Sequence, residues 1–298
     1  MKEFKNKVAF ITGSAHGFGK AIAQKAASRG MKLVLVDQDE EALNKVTDEL
    51  SKTTEVLKIV ADVTEENNIY DAVDKAMDQF GEIDLLVNDA GVAVPGPIWE
   101  LPTRDWEWIL HADLMSQVYA LRKVIPIMMK QENGGDILNV ASAAGLLTAP
   151  GMPAYYATKF AVVGMSEAVA YDLQAYKQDK IHIHVFTPAF VQTHLMHSEE
   201  YRPAKYTDKT DPYYQSKAFK MGQEMAVKDL TTGLPMDTVP DTIFKGLENN
   251  DFYILTHKGI APLVVKRAKD AVEGKAPNLA DLMKYPDKTH TDTTLTEF

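Results

Sequence analysis

The 298-residue sequence predicts an α/β protein built on a doubly wound parallel sheet, three layers deep in the order α/β/α. Three observations carry this. Short apolar runs recur at 8–11, 33–36, 56–60, 83–87, 137–140 and 181–186, several of them continuous, as expected of strands covered on both faces. Longer stretches with helical spacing separate them, at 18–29, 40–50, 65–80, 105–130 and 155–176. The alternation holds to about residue 190, and parallel strands need such crossover helices.

The first run enters Thr12-Gly13-Ser14-Ala15-His16-Gly17-Phe18-Gly19 and then a helix. Glycines at a strand-to-helix turn let the backbone approach a pyrophosphate, and the helix N-terminus offers N–H donors and a positive dipole end. The spacing is Gly-x-x-x-Gly-x-Gly, and its place between strand and helix favours phosphate binding over a mere tight turn. The second strand ends in Asp37. An acidic residue there can hold the adenosine ribose hydroxyls and repels a 2′-phosphate, so NAD is expected over NADP. Asp39 and Thr64 stand where helix N-caps are expected, and Gly30 and Gly81 where helices end. Asn133-Gly134-Gly135 breaks the chain before the fifth strand.

Tyr155 and Lys159 lie four residues apart near the start of the fifth helical stretch, on one face. A neighbouring ammonium favours the phenolate and so lowers the phenol pKa, which suits proton exchange with an alcohol or ketone. Past residue 193 the periodicity dissolves. Residues 194–230, rich in Tyr, Lys, Met and Pro, are expected to form a substrate lid. A helix at 238–248 and a last strand at 252–255 complete a single domain over 1–257. Residues 258–298 form a charged C-terminal extension ending in a polar tail at 289–298.

The net charge of −10 argues against nucleic acid as a partner. No cysteine is present, so disulfides, thiolate zinc sites and a cysteine nucleophile are excluded. No apolar run has the length of a signal-peptide core or a membrane span, and a cytoplasmic protein with no membrane partner is expected.

Taken in order, these motifs resemble the short-chain dehydrogenase/reductase family over about residues 5–195, with a continuation to 255. Thr12 to Gly19, including Gly13, Ser14, Gly17, Phe18 and Gly19, is similar to its cofactor loop. Asp62 and Val63 resemble the segment touching adenine. Asn88, Asp89, Ala90 and Gly91 resemble its Asn-Asn-Ala-Gly element. Pro188, Val191 and Thr193 resemble the segment beside the nicotinamide. Ser142, Tyr155 and Lys159 match its triad. The resemblance implies a Rossmann-type fold and reversible hydride transfer between NAD(H) and a secondary alcohol or ketone. In that picture Tyr155 is the acid/base, Ser142 binds the substrate oxygen, and Lys159 holds the nicotinamide ribose. Val191 and Thr193 would position the carboxamide. A homotetramer or homodimer through the helices at 105–130 and 155–176 is also implied. The competing readings are an epimerase or dehydratase that keeps its nucleotide bound, and a non-catalytic nucleotide sensor.

Three residues depart from the family pattern. Asp89 replaces an asparagine, Ala189 replaces a glycine and limits backbone freedom, and Asp113 replaces the asparagine of a proton relay to the lysine. An ionised Asp113 would favour protonated Lys159 and oppose phenolate at Tyr155. His194 and His197, with Glu199 and Glu200, have a spacing that could suit a metal, but no further ligand is identifiable and none is expected. His182 and His184 share one strand face and are expected to make structural hydrogen bonds, and His16 to touch cofactor or solvent. Trp106 and Trp108 read as core or interface, while Trp99 stands in the loop expected to border the substrate cleft. Tyr201, Tyr206, Tyr213, Tyr214, Phe219, Met221 and Met225 suggest a pocket for a bulky apolar alcohol.

Overall fold

The protein is described from a computed structural model, which covers residues 1–282. Seven strands form one parallel sheet: β1 Val8–Thr12, β2 Lys32–Asp37, β3 Val56–Val60, β4 Leu85–Asn88, β5 Gly135–Val140, β6 Ile181–Thr187 and β7 Tyr253–Leu255. Their spatial order is β3-β2-β1-β4-β5-β6-β7. The order reverses between β1 and β4, and the carboxyl ends of those strands open the crevice in which such folds bind ligands.

The pleat explains why the strands read as unbroken apolar runs. Ala9, Ile11, Leu33, Leu35, Val87 and Leu138 face one layer, with helices α1 Gly17–Ser28, α2 Glu40–Leu50 and α8 Val239–Asn249. Val8, Phe10, Val34, Val36, Leu86 and Ile137 face the other, with α3 Glu66–Phe80 and α5 Ser116–Met128. Both faces of the central strands are covered, so they show little alternation of polar and apolar residues.

Two boundaries move for identifiable reasons. The fourth strand begins at Leu85 rather than 83, because the Gln131 side chain takes both backbone groups of Ile83, at 2.9 and 3.0 Å. The third helix begins at Glu66, and Thr64 does not cap it. The Asp62 carboxylate instead takes the Thr64 N–H at 2.9 Å and its hydroxyl at 2.7 Å in a local turn. Asp39 does cap α2, accepting from the Ala42 N–H at 3.1 Å, and Gly81 ends α3 in the left-handed region.

The single helix expected over 105–130 is three pieces: α4 Thr103–Ile109, a π-helical turn Leu110–Met115, and α5. A π turn is set by tertiary contacts and often marks a functional site. The sixth helix, α6 Pro153–Ala175, carries Tyr155 and Lys159.

The segment after β6 is more regular than its sequence suggested. It contains short 3₁₀ turns and then α7 Lys217–Thr231, capped by Ser216 on the Phe219 N–H at 3.1 Å. Arg202 anchors it. Its guanidinium pairs with buried Asp105 at 2.5 Å and with Glu199, and lies 4.1 Å from the centre of the Trp108 ring. Tyr214 donates to the other Asp105 oxygen at 2.8 Å. Arg104 holds Asp211 at 3.0 Å, and Lys205 donates to Thr64 at 2.8 Å. The extension continues as α9 Ala261–Val272 and α10 Leu279–Leu282, with Arg267 4.5 Å over the Phe160 ring. The tail at 289–298 and the Met225 side chain lie outside the described residues. Among the described residues no helix is long and apolar enough to cross a membrane.

Replacing Arg202 by alanine leaves a buried carboxylate unpaired, a loss of about 3–5 kcal/mol of stability. The midpoint of urea unfolding reads it, and the paired exchange Arg202→Met with Asp105→Leu is expected to recover most of it.

Candidate active site

The site lies where β1, β4 and β5 end. Gly13 follows β1 with φ +67°, and a Cβ there would meet the Ala90 backbone nitrogen at 2.8 Å, so the loops after β1 and β4 are in contact. Thr12 ties them further, accepting from the Asp89 N–H at 3.1 Å and the Ala90 N–H at 3.3 Å. Gly17 has φ +48° and open space where a Cβ would stand. No side chain of His16 caps α1, and a cleft of about 580 Å³ opens there, lined by Gly17, Lys20, Thr193, His194 and Leu230. An uncapped helix start facing a cleft fits a pyrophosphate.

Asp37 ends β2 beside this opening. Its carboxylate accepts from the Ala15 N–H at 2.9 Å and the Asp39 N–H at 3.0 Å. Burial pushes its pKa up against those two bonds. Each oxygen keeps a further lone pair, so the residue fits ribose hydroxyls as well as its turn. Asp62 spends one oxygen on its own turn, and Val63 is half-buried beside it. His16 borders this cleft, pairs with Asp39 at 2.8 Å and packs on the Tyr201 ring, 5.1 Å between centres.

Several cofactor-loop positions act through the backbone. Ser14 is fully buried and donates to the Val36 carbonyl at 3.2 Å, while Phe18 packs edge-on against Phe186. Asn88 donates to Asn139 at 2.8 Å, and Asn139 to Ser166 at 2.9 Å, a buried relay under the site from β4 through β5 to α6. The asparagine within the apolar run at 137–140 was the available signal for this relay. The Pro188 carbonyl accepts from the Ala143 N–H at 2.7 Å. Ala189 is not among the residues with positive φ, so the missing glycine costs nothing there. Val191 is buried and bridges to Leu234, and Thr193 lines the cleft.

Ser142 follows β5, donates to the Pro188 carbonyl at 3.3 Å and accepts from the Ala144 N–H at 3.1 Å, and its hydroxyl works to lower the Tyr155 phenol. Lys159 is buried, with its ammonium 5.5 Å from the centre of the Tyr155 ring. It donates to the Val140 carbonyl at 3.3 Å and pairs with Asp113 at 3.1 Å. Asp113, fully buried in the π turn, also accepts from the Val92 N–H at 2.7 Å. A Cβ on Gly91 would come within 3.3 Å of Asp113 and 3.4 Å of Lys159.

The electrostatics follow. Burial pushes the Asp113 carboxyl up, opposed by Lys159. Burial would lower Lys159, but Asp113 and then Tyr155 outweigh it, and its pKa is raised. Burial also pushes the Tyr155 phenol up; Lys159 pulls it back and Asp113 pushes it up again. The lowering by Lys159 expected from the spacing is present, but it is outweighed.

Other candidates separate from this centre. His184 bonds Asp136 at 3.0 Å and donates to the Asp251 carbonyl at 2.8 Å, a structural role. His197 pairs with Glu200 at 3.1 Å, and no cluster of three metal-binding side chains is found among the described residues. Trp99 is 81% exposed, and Trp108 is core. Tyr206 and Tyr213 are buried in an apolar cluster with Val92, Val94 and Trp108, against which Tyr155, Tyr214 and Phe219 pack. Tyr201 sits instead on His16, and Met221 is exposed.

The sequence profile of short chain dehydrogenases matches residues 7–203. The chain belongs to the short-chain dehydrogenase family. This short-chain dehydrogenase is 59% identical over 280 residues to a CLA biosynthesis dehydrogenase/reductase of Lactiplantibacillus plantarum, across 94% of this chain and 98% of the other. It is 36% identical over 191 residues to 3beta-hydroxysteroid dehydrogenase 2 of Eggerthella lenta, across 63% of this chain and 72% of that one. A short-chain dehydrogenase/reductase from Burkholderia phymatum, solved in complex with NAD, aligns with a TM-score of 0.89 at 35% identity, across 93% of this chain and 98% of that one. The protein is an oxidoreductase on a Rossmann-like sheet.

An asparagine at 113 removes a charge that raises both Lys159 and Tyr155. Asp113→Asn is therefore expected to move the apparent pKa of the pH–rate profile for alcohol oxidation to lower pH. Profiles with the same apparent pKa in both proteins would show that Asp113 does not tune the pair.

Proposed function

We propose that this protein transfers hydride reversibly between NAD(H) and a secondary alcohol or ketone of bulky, apolar character. The observation that carries the reading is that Lys159 stands 5.5 Å from the centre of the Tyr155 ring beside Ser142, at the carboxyl ends of the strands, with Tyr155 packed against an aromatic cluster. The bound dinucleotide supplies the hydride acceptor or donor. In the oxidation direction the ionised Tyr155 oxygen takes the hydroxyl proton as the carbinol carbon gives up hydride and the carbonyl forms. Ser142 hydrogen-bonds the substrate oxygen and stabilises charge developing on it. Lys159 holds the phenolate electrostatically and binds the ribose beside it, and Asp113 keeps Lys159 charged.

Asp37 supports NAD over NADP, since a carboxylate at the end of β2 repels a 2′-phosphate. The NAD complex of the Burkholderia phymatum relative agrees with that choice. The names of the Lactiplantibacillus and Eggerthella relatives, one in CLA biosynthesis and one a hydroxysteroid dehydrogenase, fit a large substrate. Exposed Tyr171 and Tyr176, at and just past the end of α6, suit a homo-oligomer through that helix, which sedimentation would read directly.

The test is a panel of secondary alcohols, from short chains to hydroxylated long-chain acids and 3β-hydroxysteroids, with NAD and NADP, read by absorbance of the reduced cofactor. No turnover with any member would remove the reading. Tyr155→Phe is expected to lose about 10²–10⁴-fold in kcat while still binding NADH, as removal of a general acid/base requires. Asp37→Ser is expected to narrow the preference for NAD, and an unchanged ratio of the two cofactors would count against its role.

A further inference from the structure

Asp89 begins the loop that follows β4, and it is held from two sides. Its backbone N–H donates to Thr12 at 3.1 Å, and its carboxylate accepts from the Gly19 N–H at 2.6 Å. Gly19 is the third residue of α1, so this carboxylate is seated on the positive end of that helix. An asparagine oxygen could accept the same hydrogen bond. What aspartate adds is charge. Under the function proposed above, the same helix end receives the two negative charges of a dinucleotide pyrophosphate.

We propose that Asp89 makes dinucleotide binding proton-linked, the neutral side chain admitting the pyrophosphate to the start of α1 and the ionised side chain opposing it. Three ionisable groups face it from the elements packed around it. Lys159, from α6, stabilises its charge; Asp37, at the end of β2, opposes it; and Tyr155, on α6, interacts with it as well. Burial outweighs the Gly19 hydrogen bond and the pull of Lys159, and its carboxyl is pushed up to about 7. A switch in charge therefore falls in the neutral range. Binding a dianion beside it favours the protonated form further, so binding takes up a proton.

The inference rests on the proposed cofactor site, and the experiment separates the two. NADH, whose nicotinamide is neutral, and ADP-ribose, which has none, are titrated into the protein from about pH 6 to about pH 8.5, with an expected rise in Kd of about tenfold for both. In Asp89→Asn both Kd values are expected to stay within about twofold across that range and to be tighter than wild type at its upper end. His16 and His194 border the same cleft, so loss of the pH dependence in Asp89→Asn is the deciding result. Asp89→Glu keeps the charge and is expected to keep the dependence. Calorimetry of the wild type in buffers of different ionisation heat gives an independent reading, with about half a proton taken up per ligand near neutrality. A pH dependence that survives unchanged in Asp89→Asn, or zero proton uptake by the wild type, would overturn the role of Asp89 while leaving the cofactor site standing. Failure of both ligands to bind at any pH would overturn the cofactor site, and this inference with it.

Discussion

The ion pair between Asp113 and Lys159 is the constraint on which the site depends. Both side chains are buried, so each would be costly alone. Each is held by a further partner: the Val92 N–H for the carboxylate and the Val140 carbonyl for the ammonium. The pair thereby ties the loop after β4, the π turn, the end of β5 and the start of α6. A side chain at Gly91 would press on that knot, at 3.3 Å from Asp113 and 3.4 Å from Lys159. Tyr155 receives its position from α6 and its electrostatic surroundings from the same two charges.

The site therefore holds more carboxylate than ammonium. Asp113 and Asp89 both flank Lys159, each where the family pattern has asparagine. The first sets how firmly the lysine keeps its proton. The second stands at the start of α1. Both residues can accept hydrogen bonds as asparagine does, and both add a carboxylate. Arg202, in the segment after β6, is engaged by Asp105 and Glu199.

How far the sequence could be read follows from what each feature depends on. Strands covered by helices leave runs rich in apolar residues, which made all seven strands legible although the edge strands β3 and β7 are partly exposed. The Tyr155–Lys159 contact follows from helical geometry alone, and the Asp39 cap and the Gly81 terminus from local backbone needs. Two of the failures are contacts made by distant residues: Gln131 reaches Ile83 from across a helix end, and Arg202 finds Asp105 at 97 residues' separation. The third is local, where the Asp62 turn takes Thr64 away from its helix. Helix α7 escaped because its residues are largely exposed or half-buried, which blurs an apolar period. Ser14 and Asn88 lie in the right loops, yet their side chains turn into the protein.

The π turn at Leu110–Met115 has a further consequence. Before it, Trp108 and Ile109 belong to the cluster with Tyr206 and Tyr213 from the segment after β6; after it, Tyr119, Ala120 and Val124 belong to the layer on the sheet. One polypeptide rod thus serves two differently oriented cores. An uninterrupted α-helix advances about 100° per residue, so the extra residue of a π turn resets the angular phase between the two halves. The extra residue thereby lets Asp113 meet Lys159 while the apolar stripe of α5 still meets the sheet.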